Sequence, residues 1–142
     1  MSPNEKPIQL NQLQTTGAGH DLLRYVCLPD LLGKDAKNIL YVMGKNLART
    51  YHLDSLESVV DFFAQMGWGT LELKKEKRNE LVFELTGQPI AQREEAKLPV
   101  EYRLEAGFLA QAIQQINETA CECLDERKGK KQMVVFQVIN SM

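Results

Sequence analysis

Phe62-Phe63-Ala64-Gln65-Met66-Gly67-Trp68-Gly69-Thr70-Leu71 is the stretch that decides the fold, because a helical apolar pattern stops there and a strand pattern begins at once. Upstream, Leu56, Val59, Val60, Phe63 and Met66 recur at three- and four-residue steps, which lines one face of a helix. Downstream, Leu71 and Leu73 alternate with Thr70, Glu72 and Lys74, the two-residue period of a half-buried strand. Gly67 stands where a helix C-cap needs a left-handed backbone, which a residue without Cβ adopts at little cost.

Working outward, a first helix is expected over His20 to Leu28, with Leu22, Leu23, Val26 and Cys27 on its apolar face and Pro29 stopping or kinking it. A second follows Asp35 as N-cap, with Ile39, Leu40, Val42, Met43, Leu47 and Ala48 as its stripe. Gly44 inside that helix points to a backbone passing close by. Asp54 and Glu57 have the spacing of a capping box for the third helix. Strands over 68–75 and 80–86 form a hairpin through Lys75 to Asn79, and Gln88 to Pro99 is read as a loop or ragged edge strand. A long helix is expected from Leu104 to Glu126, carrying Cys121 and Cys123, with Gly107 and Ala110 allowing close approach. Met133 to Ile139 then reads as an inner strand. The order is an α+β fold: three N-terminal helices, a β-hairpin, a long helix and a final strand, with helices packed on one face of a small antiparallel sheet. Residues 1–17 are polar with two prolines and are expected to be a flexible arm before a single domain over 18–142.

The chain has 142 residues, 44% hydrophobic and 25% charged, as expected of one soluble globular domain. Seventeen Lys and Arg against nineteen Asp and Glu give a formal net charge of −2, so no overall attraction to nucleic acid is expected. No apolar run approaches the roughly 20 residues needed to cross a bilayer, and the first residues lack the apolar core of a secretion signal. Cys27, Cys121 and Cys123 leave one thiol unpaired under any disulfide scheme, which favours a reducing, cytoplasmic compartment.

No local sequence motif carries catalysis. A hydrolase triad, a nucleotide-binding loop and a zinc site all lack their signatures, and His20 and His52 have no sequence-local partners. On a helix, Cys121 and Cys123 would point about 200° apart and could not share an ion. No metal and no cofactor is therefore expected. Two basic runs invite an acidic protein or a lipid head group: Lys74, Lys75, Lys77 and Arg78 at the hairpin, and Lys128, Lys130 and Lys131 before the last strand. They would make one patch were both turns at the same end of the sheet. Phe62, Phe63, Trp68, Phe83 and Phe108 would line an apolar cavity or simply fill a core.

Met43-Gly44-Lys45-Asn46-Leu47-Ala48-Arg49, Met66-Gly67-Trp68-Gly69 and Leu104-Glu105-Ala106-Gly107-Phe108-Leu109 resemble the YslB-like family of small, uncharacterised bacterial proteins. More distantly, the pattern over about residues 20–139 resembles the superfamily of TRAPP vesicle-tethering subunits, vinyl-reductase-type ligand-binding domains and haem nitric-oxide sensors. The resemblance implies a twisted antiparallel sheet, a homodimer built through the first helices and often an apolar cavity between helices and sheet. On that reading Leu22, Leu23, Val26, Ile39, Leu40 and Met43 are the dimer contacts. Three departures limit what transfers. Thr50-Tyr51-His52-Leu53-Asp54 lacks the cysteine that carries an acyl chain in some TRAPP subunits. No cysteine follows Gly129 to complete the paired cysteines of vinyl-reductase-type domains, and the Tyr-x-Ser-x-Arg signature of haem sensors is absent. The leading expectation is thus a non-enzymatic homodimeric binding or scaffold domain holding a small apolar ligand. The alternatives are an adaptor with a filled core, and an enzyme whose groups meet only in space.

Overall fold

The computed structural model describes residues 17–140, so the arm expected over 1–17 lies outside the described residues except for Gly17. The N-terminal helical segment comprises α1 (Ala18–Leu22), a π turn (Leu23–Cys27) and α2 (Leu28–Leu32). Pro29 neither stops nor ends it. The Leu28 N–H donates to the carbonyl of Leu23, five residues back, and this wider turn makes room ahead of the proline ring. A short 3-10 turn (Gly33–Asp35) leads into α3 (Ala36–Thr50), where Asp35 holds the N-cap position without a side-chain cap bond.

Helix α4 (Leu56–Gln65) starts one residue later than its sequence suggests. Its capping box is Ser55 with Ser58, not Asp54 with Glu57: the Ser58 N–H donates to Ser55 Oγ at 3.1 Å, and the Ser55 N–H donates to Ser58 Oγ at 3.2 Å. Its C-terminus is the junction from which the fold was read. Gly67 has φ 71°, the Trp68 N–H donates to the Phe63 carbonyl at 2.9 Å, and the Gly67 N–H donates to that of Ala64 at 3.1 Å. This paired C-cap turns the chain straight into β1 (Thr70–Lys77).

Strand β1 pairs antiparallel with β2 (Glu80–Thr86), Lys77 opposite Glu80, so the hairpin tip is Arg78-Asn79 and Lys74 is extruded at a bulge. Two elements then differ from expectation. Gln88–Glu95 is a helix, α5, with Pro89 in its first turn and Ile90 buried. The long helix α6 (Arg103–Asn117) stops at Glu118, whose φ is 55°, and Cys121–Lys128 is a strand, β3. β3 and β4 (Met133–Asn140) pair antiparallel, giving sheet order β1-β2-β4-β3 with β4 inside.

From Glu105 to Ile113 every residue of α6 is buried, because the sheet covers one side and α3 the other. The α3 residues facing it are Ala36, Leu40, Gly44 and Ala48, at four-residue steps. A Cβ on Gly44 would strike the Leu104 carbonyl, and one on Gly107 would strike that of Tyr41, so the two backbones touch. The core lies beneath, where Phe83, Leu85, Val134, Phe136 and Val138 of the sheet meet α4 and α6.

Candidate functional site

The residues singled out from sequence fall into four places. On the N-terminal segment, Leu22, Leu23 and Val26 are 59%, 55% and 56% exposed, and on α3, Ile39 and Met43 are 37% and 42% exposed. Leu31 and Val42, not among the dimer contacts proposed from sequence, join them as exposed apolar side chains. Leu40 departs from the set: at 1% exposure it belongs to the chain's own packing, because it sits on the α3 stripe that faces α6. Of the nine large apolar residues exposed among the described residues, seven lie on these two elements, a concentration an isolated helix pair has no reason to keep in water.

Phe62, Phe63, Trp68, Phe83 and Phe108 are all buried. Phe62 stacks on Phe108 with centroids 4.3 Å apart, and Trp68 meets Phe62, Phe63 and Phe108 edge-on at 5.0 to 5.6 Å. Rings at these spacings pack on one another and occupy the space between α4 and α6. Phe83 lies beneath on the sheet.

The two basic runs do not merge. Glu80 pairs with Ile139 near the end of β4, and Leu85 pairs with Val134 near its start. The hairpin tip and the Gly129–Lys131 turn are therefore at opposite ends of the sheet, separated by about 25 Å of strand. Lys74 pairs with Glu72 at 3.1 Å and Lys128 with Glu126 at 2.8 Å. Lys75, Lys77 and Arg78 are exposed at one end, Lys130 and Lys131 at the other.

Cys121 and Cys123 lie on a strand, so they share a face instead of diverging. Both are buried, and the Cys121 thiol donates to the Ala110 carbonyl at 3.1 Å. Burial pushes the Cys121 thiol up to about 11 and that of Cys123 well above its ordinary value. Among the described residues, no group of three or more His, Cys, Asp and Glu is placed to hold a metal ion.

Sequence reasoning missed a buried ionic cluster between the N-terminal segment, α5 and α6. Arg24 is 2% exposed and Glu105 1%. The Arg24 guanidinium donates from Nε to Glu101 Oε2 at 2.7 Å, and from Nη2 to Glu101 Oε1 at 2.9 Å and Glu105 Oε1 at 2.7 Å. Burial alone would favour loss of its proton, but Glu105 and Glu101 hold the guanidinium above its ordinary value. Beside it, Arg93 donates from Nε and Nη2 to Asp21 at 3.1 to 3.2 Å. The Tyr25 ring lies 5.4 Å from the Arg24 guanidinium carbon and 5.5 Å from that of Arg93. Burial raises the Tyr25 phenol. Arg24 and Asp21 sit three apart on a helix whose other face is apolar, the one sequence signal that they point inward.

A second polar cluster ties α3 to β3. The Tyr41 hydroxyl bonds Glu122 and accepts from the Cys123 N–H at 2.9 Å, while Lys45 Nζ donates to Glu122 at 2.6 Å. Where the start of α1, the end of α4 and α5 meet, a groove of about 720 Å³ is lined by His20, Asp21, Met66, Trp68, Gln92 and Arg93 among others. Its wall is mixed in polarity, unlike the aromatic core behind it.

Solved structures share this architecture. A vinyl-4-reductase family protein from Methanocaldococcus jannaschii superposes with a TM-score of 0.68 at 16% identity, covering 94% of this chain and 87% of that one. The phenol-responsive sensory domain of the transcription activator PoxR, with phenol, gives 0.64 at 16% identity, covering 89% and 75%. A trafficking protein particle complex subunit 3 from Naegleria fowleri, covalently bound to palmitic acid, gives 0.54 at 13% identity, covering 89% and 98%. At these identities the likeness is one of fold. In sequence, the chain is 37% identical over 129 residues to the uncharacterized protein YslB of Bacillus subtilis (strain 168), covering 91% of this chain and 87% of that protein. Residues 17–139 match the family described as protein of unknown function (DUF2507), and with that match the chain belongs to the YslB-like DUF2507 family on the fold of vinyl-4-reductase and TRAPP-subunit domains.

Proposed function

We propose that this chain is a non-enzymatic, cytoplasmic binding domain that assembles as a homodimer through the outward faces of the N-terminal segment and α3. One observation carries the reading: Leu22, Leu23, Val26, Leu31, Ile39, Val42 and Met43, seven of the nine exposed large apolar residues among the described residues, lie on the N-terminal segment and α3. The perturbed ionisable groups have the signature of structural pairs and buried neutral groups. Among the described residues, each clear shift drives its group further into the state it already holds at neutral pH: Asp21 and Glu122 lowered, Arg24, Arg93 and Lys74 raised, Tyr25, Tyr41, Tyr102, Cys121 and Cys123 raised. A general acid or base needs the opposite. The packed aromatic set favours an adaptor with a filled core, and the reading invokes no cofactor.

Sedimentation equilibrium tests it, with Val42→Asp as the variant because Val42 is 53% exposed and its change leaves the core alone. The expected result is a wild-type dimer and a folded monomeric variant. A wild-type monomer, or an unaltered variant dimer, removes this surface from the reading. Leu40 is unsuitable for the purpose, since a charge there would disrupt the α3–α6 contact.

The groove beside Trp68 favours a second reading, a small-molecule domain whose ligand sits there instead of in the aromatic core. Native mass spectrometry would then find an adduct on the wild type that is missing from Gln92→Trp. Bare protein in both cases leaves the adaptor.

A further inference from the structure

Helices α3 and α6 lock through small residues above an apolar core, whereas the N-terminal segment is fastened in another way. Neither α1 nor α2 buries a residue, and the π turn between them buries only Arg24 and Tyr25. No residue of 18–32 belongs to the hydrophobic core cluster. What faces the body is charge around one aromatic ring: Asp21 against Arg93, Arg24 against Glu101 and Glu105, and Tyr25, 3% exposed, beside both arginines. At its far end the segment meets Gly33, whose φ of 65° and ψ of −142° are open to glycine, and nothing lies within 4 Å of where a Cβ would be.

We propose that Ala18–Leu32 is a detachable arm, hinged at Gly33 and held by an ionic latch of Arg24 and Asp21 against Glu101, Glu105 and Arg93, whose release uncovers a charged face of α5 and α6 without opening the aromatic core. The latch works as a set. Arg24 bonds two carboxylates at once, so losing it leaves the buried Glu105 without its cation and facing the charge of Glu101, which keeps the Arg103 N–H, in the docked state. In the undocked state all five groups regain water, and the missing partner no longer matters. The penalty therefore falls on docking alone. Phe62, Phe63, Trp68 and Phe108 make their ring contacts with one another and stay packed when the arm leaves. The inference does not require the dimer, although a second copy covering Leu22, Leu23 and Val26 would hold the latch shut.

Hydrogen exchange read by mass spectrometry on the full chain tests it, in wild type, Arg24→Met and Asp21→Asn. In wild type at low urea, peptides within 18–32 should exchange through an opening that leaves α6 and β4 protected. Arg24→Met should speed exchange in 18–32 on the order of 100-fold while α6 stays far better protected than 18–32, the gap between the two openings persisting. Asp21→Asn, at a partly exposed position, should act in the same direction and remains informative should Arg24→Met fail to fold. A single common opening for 18–32 and α6 in wild type would overturn the arm. Unchanged exchange in the folded variants would overturn the latch.

Discussion

Gly44 on α3 and Gly107 on α6 sit at one helix crossing where each backbone fills the space the other's side chain would need. A Cβ on either would meet a main-chain carbonyl, of Leu104 or Tyr41, and neither carbonyl has a flexible end to swing aside. Gly107→Ala should therefore cost about 3 kcal/mol, the upper range for overpacking, and Gly44→Ala about as much. Urea denaturation reads both. A midpoint within error of wild type would mean the helices can part without loss.

Gly67→Ala separates conformation from crowding. Nothing lies within 4 Å of the position a Cβ would take, so only the φ of 71° opposes the change. A loss of about 1 kcal/mol is expected. The same denaturation series checks it, and a loss matching Gly107→Ala would show that the C-cap turn is crowded.

Acid should loosen the N-terminal segment before the rest. Partial burial would raise the Asp21 carboxyl, but hydrogen bonds from Arg93 and His20 outweigh it and hold the group below its ordinary 3.8. A lowered folded-state value means stability that is fully present above the ordinary value and lost as pH falls through the depressed one. Between pH 6 and pH 3, wild type should lose protection in 18–32 that Asp21→Asn lacks already. Equal acid sensitivity in the two proteins would assign the loss to another group.

Thiol labelling should count one cysteine. Cys27 is exposed, whereas Cys121 and Cys123 are buried with their thiols held protonated, Cys121 up to about 11. In native protein at neutral pH, an aromatic disulfide reagent should react quickly with a single thiol, and Cys27→Ser should abolish that phase. Two fast thiols would mean that β3 frays from the sheet edge.

The parts of the fold written in local patterns were legible. The Gly67 turn, the hairpin, the inner β4 strand and the close approach at Gly44 each follow from a period or a residue with one strong preference. The parts set by tertiary contact were not. Cys121-Glu122-Cys123 alternates like a strand, yet Ile116, Ala120 and Cys123 extend the helical period of α6, and only pairing with β4 decides between them. Helix α5 has one buried apolar residue, Ile90, too few to show a period, although Pro89 in its first turn was a usable sign. The site divides likewise. The exposed residues Leu22, Leu23 and Val26 stand where a helical stripe would put them, while the Arg24 cluster joins residues 77 and 81 positions apart and leaves no local mark.

Trp68, the single tryptophan of the chain, is wedged among Phe62, Phe63 and Phe108. Its emission therefore reports chiefly the aromatic core of the body, whereas far-ultraviolet ellipticity sums the body and the N-terminal helix. An arm that leaves first makes those two signals disagree, with ellipticity falling at a lower urea concentration than fluorescence. The molecule thus carries its own two-colour test of cooperativity, in which the gap between the curves measures how independently its first fifteen helical residues behave.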